Sequence, residues 1–270
     1  MSSVCKLVAL AAVVCVVSAF SRTGGVLRVC SDPNNMPFSN ERQQGFENKI
    51  ADLVARDLGR RVEYFWAPQR RGFVRNTLRA RQCDVIMGVP EHYELARPTR
   101  PYYRSGYVFV SRRDRHLDVR TFDDPRLRRL RIGIQIVGND YANPPAAQAL
   151  AARHIIANVR GYTVYGDYSK ADPQRGVVDA VAGGDVDVAV VWGPLAGYFA
   201  AQEPVALALA PVTPQQDSPA LPFAFDIAMA VRKDDGALHD ALDGVIARRG
   251  AEIRRILRAF HVPLVDRTDQ

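Results

Sequence analysis

The sequence predicts an α/β protein of two Rossmann-like lobes joined by two crossing strands. Three observations lead there: a β-α-β-α-β order over residues 26–88, the same order again over 132–192, and two further strands, 105–110 and 223–231, outside both units. Such alternation implies parallel strands with right-handed helical crossovers, and sheets of that kind bind ligands at the carboxyl ends of their strands. On pattern alone, one large sheet holding both units is the alternative.

Ahead of the first unit, Lys6 precedes an apolar run over 7–17, and Val17-Ser18-Ala19 carries the small-x-small pattern that a signal peptidase accepts. Residues 1–19 therefore read as a signal peptide and the mature protein as exported. An uncleaved anchor needs about twenty apolar residues and firmer flanking charge, and Cys15 lacks the small residues that precede a lipidated cysteine. Cleavage leaves Cys30 and Cys83, an even number that permits one disulfide in an exported protein. Against it, Cys30 ends one predicted strand and Cys83 begins another, and opposite ends of parallel neighbours lie far apart. The residues leave the pairing open.

In the first unit, 26–30 reads as a strand and 31–40, rich in Asn, Pro and Ser, as a loop. Phe46, Ile50, Leu53, Val54 and Leu58 then recur at helical spacing until Gly59 stops them. A strand at 62–66, a helix over about 72–81 and a strand at 85–88 complete the unit. The second unit has strands at 132–137, 159–165 and 186–192 and helices at 146–153 and 176–182. The third strands look alike, Cys83-Asp84-Val85-Ile86-Met87-Gly88-Val89-Pro90 beside Val186-Asp187-Val188-Ala189-Val190-Val191-Trp192-Gly193-Pro194. Strand 105–110 leads into Arg112-Arg113-Asp114-Arg115, and 223–231 is entered from the Pro-rich stretch 212–222. Read as crossings, they divide the chain into a lobe of 24–112 plus 223–266 and an inserted lobe of 113–222. Leu238, Leu242, Val245, Ile246, Ile253, Ile256, Leu257 and Phe260 make the end helical, spaced to cover a sheet face.

The composition is that of a globular protein, 270 residues with 47% apolar and 24% charged. Of its 36 basic residues 32 are arginine, scattered through almost every segment instead of concentrated on one element, so the formal charge of +7 does not point to nucleic acid. His92, His116, His154, His239 and His261 have no partner at metal-ligand spacing, and no HExxH, CxxC, GxSxG or Walker pattern occurs. The reading is a binding protein without catalytic residues, metal or cofactor.

Its binding residues are expected on the strand-end loops. These are Asp32, Asn34 and Asn35 after the first strand, Gln69, Arg70 and Arg71 after the second, Tyr93 after the third, and Tyr103 and Arg104 before the crossing strand. Asn139 and Trp192 hold the equivalent positions in the other lobe. Amides, guanidinium groups and aromatic faces converging on a cleft suit a polar ligand or a partner surface. Equally, Asn34 and Asn35 suit turn formation, and Trp192 suits a core.

The element order resembles that of the type 2 periplasmic solute-binding proteins over essentially the whole mature chain. Three longer strings, 29–40 (VCSDPNNMPFSN), 45–50 (GFENKI) and 68–78 (PQRRGFVRNTL), with 83–90 and 101–110 (PYYRSGYVFV), resemble the MxaJ/XoxJ branch of that family, leaning to XoxJ. The resemblance implies a periplasmic protein that accompanies a quinoprotein methanol dehydrogenase. The expected partner is that pyrroloquinoline-quinone-dependent enzyme, of the lanthanide type, with its c-type cytochrome as a further candidate. The role implied is to bind the dehydrogenase in an open cleft and assist its maturation or activation. Amino-acid receptors of the wider family carry a Thr and an Arg after the third strand and an acid in the second lobe. Here those positions read Val89-Pro90-Glu91-His92-Tyr93-Glu94 and Trp192-Gly193-Pro194-Leu195, which disfavours an ordinary amino acid. The alternative is a transport receptor for another small polar solute, quinone-like or sugar-like.

Overall fold

The computed structural model describes residues 25–136, 144–163 and 168–266. The leader 1–19, Asn139, and the expected strand ends at 137 and 164–165 lie outside the described residues.

β1 (Val26–Ser31), α1 (Phe46–Asp57), β2 (Arg61–Trp66), α2 (Phe73–Asn76) and β3 (Val85–Pro90) form the first unit. β4 (Tyr103–Arg112) follows. The second unit comprises β5 (Ile132–Ile136), α3 (Pro145–Ala152), β6 (Val159–Thr163), α4 (Gly176–Gly183) and β7 (Val188–Trp192). α5 (Gly193–Ala200), β8 (Leu207–Pro211), β9 (Ala224–Val231) and α6 (Gly236–Ala259) complete the chain.

The two units share one strand order. β1 lies between β2 and β3, all parallel, and β9 runs antiparallel beside β3. β5 lies between β6 and β7, all parallel, and β4 runs antiparallel beside β7. The halves meet because Tyr103 to Gly106 of β4 pair with β9, while Tyr107 to Ser111 pair with β7. Hydrogen bonding is thus continuous from β2 to β6.

Each unit also ties its first strand to the turn before its third by the same fork. Arg28 places its backbone N–H, Nε and Nη2 on Asp84 at 3.2, 3.1 and 2.7 Å. Arg131 does the same to Asp187 at 2.9, 3.1 and 2.7 Å. Such bidentate geometry matches a guanidinium to both carboxylate oxygens.

Apolar periodicity decides which faces are covered. Phe46, Ile50 and Val54 of α1 and Leu242, Val245, Ile253 and Leu257 of α6 bury against β1 and β3. In the second half, valines and alanines of α4 pack with Val191 and Phe199 on one face of the sheet, and Phe109, Phe122 and Leu150 close the other.

The structure departs from the expected elements in three places, and it settles the cysteine pairing that the residues left open. The helix over 72–81 shrinks to α2, because Thr77 turns back to bond Phe73 O through Oγ1 at 2.7 Å and leaves helical geometry. The segment after Trp192 is helix α5 and not a loop, with Pro194 early in its first turn, where a missing N–H costs nothing. β8 has no counterpart in the sequence reading. Cys30 and Cys83 are bridged, Cα atoms 5.5 Å apart. The geometric objection fails because β3 begins at Val85, so Cys83 sits in the preceding turn and is free of the ladder register.

Candidate functional site

A cavity of about 280 Å³ lies between the halves at the carboxyl ends of the parallel strands. β4 and β9 form its floor. Side chains alternate across a strand, so Tyr103 and Tyr107 of β4 and Phe225 and Ile227 of β9 all face it. Trp192, at the end of β7, meets Tyr107 and Phe225 edge-on with ring centroids 5.5 and 5.9 Å apart. Phe38 and Leu195 add apolar wall, while Asn35, Gln69 and Gln135 supply amides. Gln135 is fixed by accepting the Trp192 backbone N–H at 2.6 Å.

Glu47 supplies the cavity's carboxyl group. It stands in the first turn of α1, whose leading N–H groups are taken by the loop after β1, Phe46 N on Pro37 O at 2.8 Å and Glu47 N on Phe38 O at 3.0 Å. Asn48 Oδ1 accepts the Gly45 N–H at 3.0 Å and fixes the helix start. Glu47 is only 8% exposed, and among the described residues no cation or hydrogen-bond donor meets its carboxyl. Burial raises its pKa to about 8. The carboxyl rests against Gly88, whose φ of +68° and missing Cβ leave it room. Among the lining residues there is no Arg or Lys.

Polar contacts span the mouth of the cleft. Asp32 is buried and accepts from Asn34 N at 2.8 Å, Gln69 N at 2.7 Å and, from the second half, Tyr168 Oη at 2.7 Å. Burial, then the bond to Asp32, pushes the Tyr168 hydroxyl up. Asn34 donates to Lys170 O at 2.8 Å, Gln174 donates to Asn34 O at 2.6 Å, and the Arg70 guanidinium lies 5.3 Å over the Tyr168 ring. These bonds join the two halves across the mouth.

The expected site residues therefore separate. Asn35, Gln69, Tyr103 and Trp192 line the cavity. Asp32, Asn34 and Arg70 hold the mouth, and Arg71, next in the chain, is exposed. Arg104 faces away: it pairs with Asp226, its register partner on β9, at 2.7 Å and bonds Gln215 at 3.1 Å. The alternation that aims Tyr103 inward aims Arg104 outward. Tyr93 packs on the cluster around the disulfide instead of the cavity, since the chain after β3 folds back over that side. Glu47, Phe38, Tyr107, Gln135 and Phe225 escaped the sequence reading. An acid in a first helical turn reads as a complement to the helix dipole, and the aromatic residues read as core.

A second groove, about 810 Å³, lies along the C-terminal segment, lined by Arg100, Arg104, Arg254 and Arg258. It takes Arg104 and Asp226 from the outward faces of β4 and β9. Among the described residues no group of His, Cys, Asp and Glu is placed to hold a metal, and no helix is long and apolar enough to cross a membrane.

The sequence model of the bacterial extracellular solute-binding proteins, family 3, matches residues 27–260. Protein MoxJ of Methylorubrum extorquens is 33% identical over 254 residues, 89% of this chain and 82% of the relative. Protein MoxJ of Paracoccus denitrificans is 28% identical over 252 residues, 88% of this chain and 89% of the relative. The crystal structure of the periplasmic binding protein XoxJ from Methylobacterium extorquens AM1 superposes with a TM-score of 0.72 at 36% identity, covering 89% of this chain and 99% of that one.

Proposed function

The chain belongs to the bacterial extracellular solute-binding proteins of family 3, and from that premise we propose that it is a periplasmic accessory protein of methanol oxidation. In this reading it binds a pyrroloquinoline-quinone-dependent methanol dehydrogenase of the lanthanide type and helps mature or activate it, without catalysing a reaction itself. The similarity to MoxJ and XoxJ across nearly the full chain carries the reading. The cavity adds support: with no Arg or Lys on its walls among the described residues, an amino-acid carboxylate would lose its charge-assisted partner. We assign the lobes to 24–112 plus 223–266 and to 113–222. Because polar contacts span the mouth, the dehydrogenase meets the outer rim, together with the exposed Arg71 that follows Arg70 in the chain. The signal peptide at 1–19 delivers the chain to the periplasm, and the c-type cytochrome is a further partner.

The second reading is a transport receptor. The mouth contacts and the 280 Å³ volume favour it, since a space of that size suits a small solute. A carboxylate-rich quinone would find no cation there. Calorimetric titration against the apo-dehydrogenase separates the readings. Measurable binding, weakened by Arg71→Ala, supports the first; no binding, with normal dehydrogenase activity in a deletion strain, overturns it.

A further inference from the structure

We propose that the cavity is a binding site for a small organic ammonium ion, held by the Glu47 carboxylate within aromatic walls. Two independent features of the fold lead there. The first is the lone carboxyl, more than nine-tenths buried, lining the cavity and making no hydrogen bond or ion pair among the described residues. A buried carboxylate without a partner is costly, and a ligand cation is what removes that cost. The second is the wall. Trp192 stands edge-on to Tyr107 and Phe225, and aromatic faces attract ammonium groups, most strongly when water is excluded.

The charge pattern narrows the ligand. In a chain with 32 arginines, none of those among the described residues lines this cavity, so phosphate and carboxylate groups have no counter-ion there. The ligand is a monoamine or a methylated ammonium ion and not an amino acid. Asn35, Gln69 and Gln135 offer amide groups for a hydroxyl or carbonyl on its other end. A free amine and a lysyl side chain share this chemistry. The inference concerns the cavity alone and stands whichever partner meets the outer rim.

Binding draws Glu47 into its charged form and so releases a proton. Tyr64 of β2 and Tyr102 and Tyr103 at the start of β4 are the titratable groups coupled to it. Burial raises all three, so they stay neutral from pH 6 to pH 8. Affinity for an ion that does not itself titrate therefore rises up to tenfold per pH unit over that window.

The test is calorimetric titration of the mature protein with tetramethylammonium, butylammonium and Nα-acetyl-lysine methylamide, against neutral tert-butanol and pentan-1-ol. The expected result is saturable binding of an ammonium compound, no binding of the alcohols, and affinity for tetramethylammonium that climbs from pH 6 to pH 8. Glu47→Gln, which keeps the shape and folds without a buried charge, weakens binding at least tenfold and removes the pH dependence. Phe225→Leu weakens tetramethylammonium several-fold. Tighter binding of the lysine derivative than of butylammonium assigns the group to a protein side chain, and the reverse assigns it to a free amine. The proposal fails if none of the three ammonium compounds binds, if an alcohol binds as well as its charged counterpart, or if E47Q binds unchanged.

Discussion

Residues 83–90 and 186–194 carry one pattern, an acid, an apolar run, then Gly and Pro, and the fold uses it in two ways. Gly88 lies inside β3 at φ +68° with the Glu47 carboxyl against it. Gly193 opens α5, where a Cβ would stand 2.5 Å from Gly106 O and 2.7 Å from Pro263 Cγ. One glycine makes space for a functional group; the other lets backbones close on each other. The same division runs through the units. Both have the Arg–Asp fork, but the first adds a disulfide and a buried acid, and the second packs on small residues. Repeated topology supplies the frame, and the site comes from the copy that departs from its sibling.

The most severe way to break the comparison is to remove the disulfide. Its loop spans 53 residues, for which chain entropy predicts about 4 kcal/mol. C30S/C83S is expected to lose that much in urea denaturation and roughly 10 °C in Tm, leaving the first unit with only the fork that the second already relies on.

Next comes Glu47. Its folded pKa, about 8, lies above the unfolded value of 4.5, so its favourable contribution is complete below pH 4.5 and is lost as pH rises toward 8. Between pH 5 and pH 7 the loss is about 1.4 kcal/mol per unit, about 3 kcal/mol in all. E47Q is expected to flatten that slope in denaturation curves. The Arg-paired carboxylates, such as Asp187, act in a separate window: the Arg131 bonds hold that group below the usual range, so its contribution is lost only as pH falls below about 4.

The glycines give the third contrast. Gly193→Ala is expected to cost about 2 kcal/mol, because its obstacles include backbone that cannot move aside. Gly88→Ala is expected to cost a similar amount alone but only about 1 kcal/mol in a Glu47→Ala background, where only the positive φ is left to oppose it. Equal cost in both backgrounds would remove Glu47 as the reason for that glycine. The smallest effect tests the equivalence of the units. D187N is expected to cost about 1 kcal/mol or less, because the Arg131 guanidinium is about half exposed, and D84N to cost more, because Asp84 also bonds the largely buried Arg232 at 3.4 Å; equal costs would show that Arg232 adds nothing to the first fork.

Much of this was legible in the residues. The alternation over 26–88 and 132–192, the crossing strands and the terminal helix follow from local periodicity, and residues of the loops at 32–35, 69 and 192 come together around one cavity. What the residues did not disclose was direction and partnership. Arg104 read as a cleft residue until its strand face was known, and it is spent on Asp226. Asp32 read as a ligand contact, and it joins residues 34, 69 and 168.

The sequence by itself determined most of the elements, because helix and strand periodicity depend on neighbours a few residues away. Only the tertiary structure decided that Cys30 reaches Cys83, that the mouth is spanned by bonds from Asp32 to Tyr168 and from Asn34 to Lys170, and that Glu47 is buried beside Gly88. Each of those facts joins residues 41 to 136 positions apart, and a carboxyl's ionisation depends on how much water and charge the distant chain leaves around it.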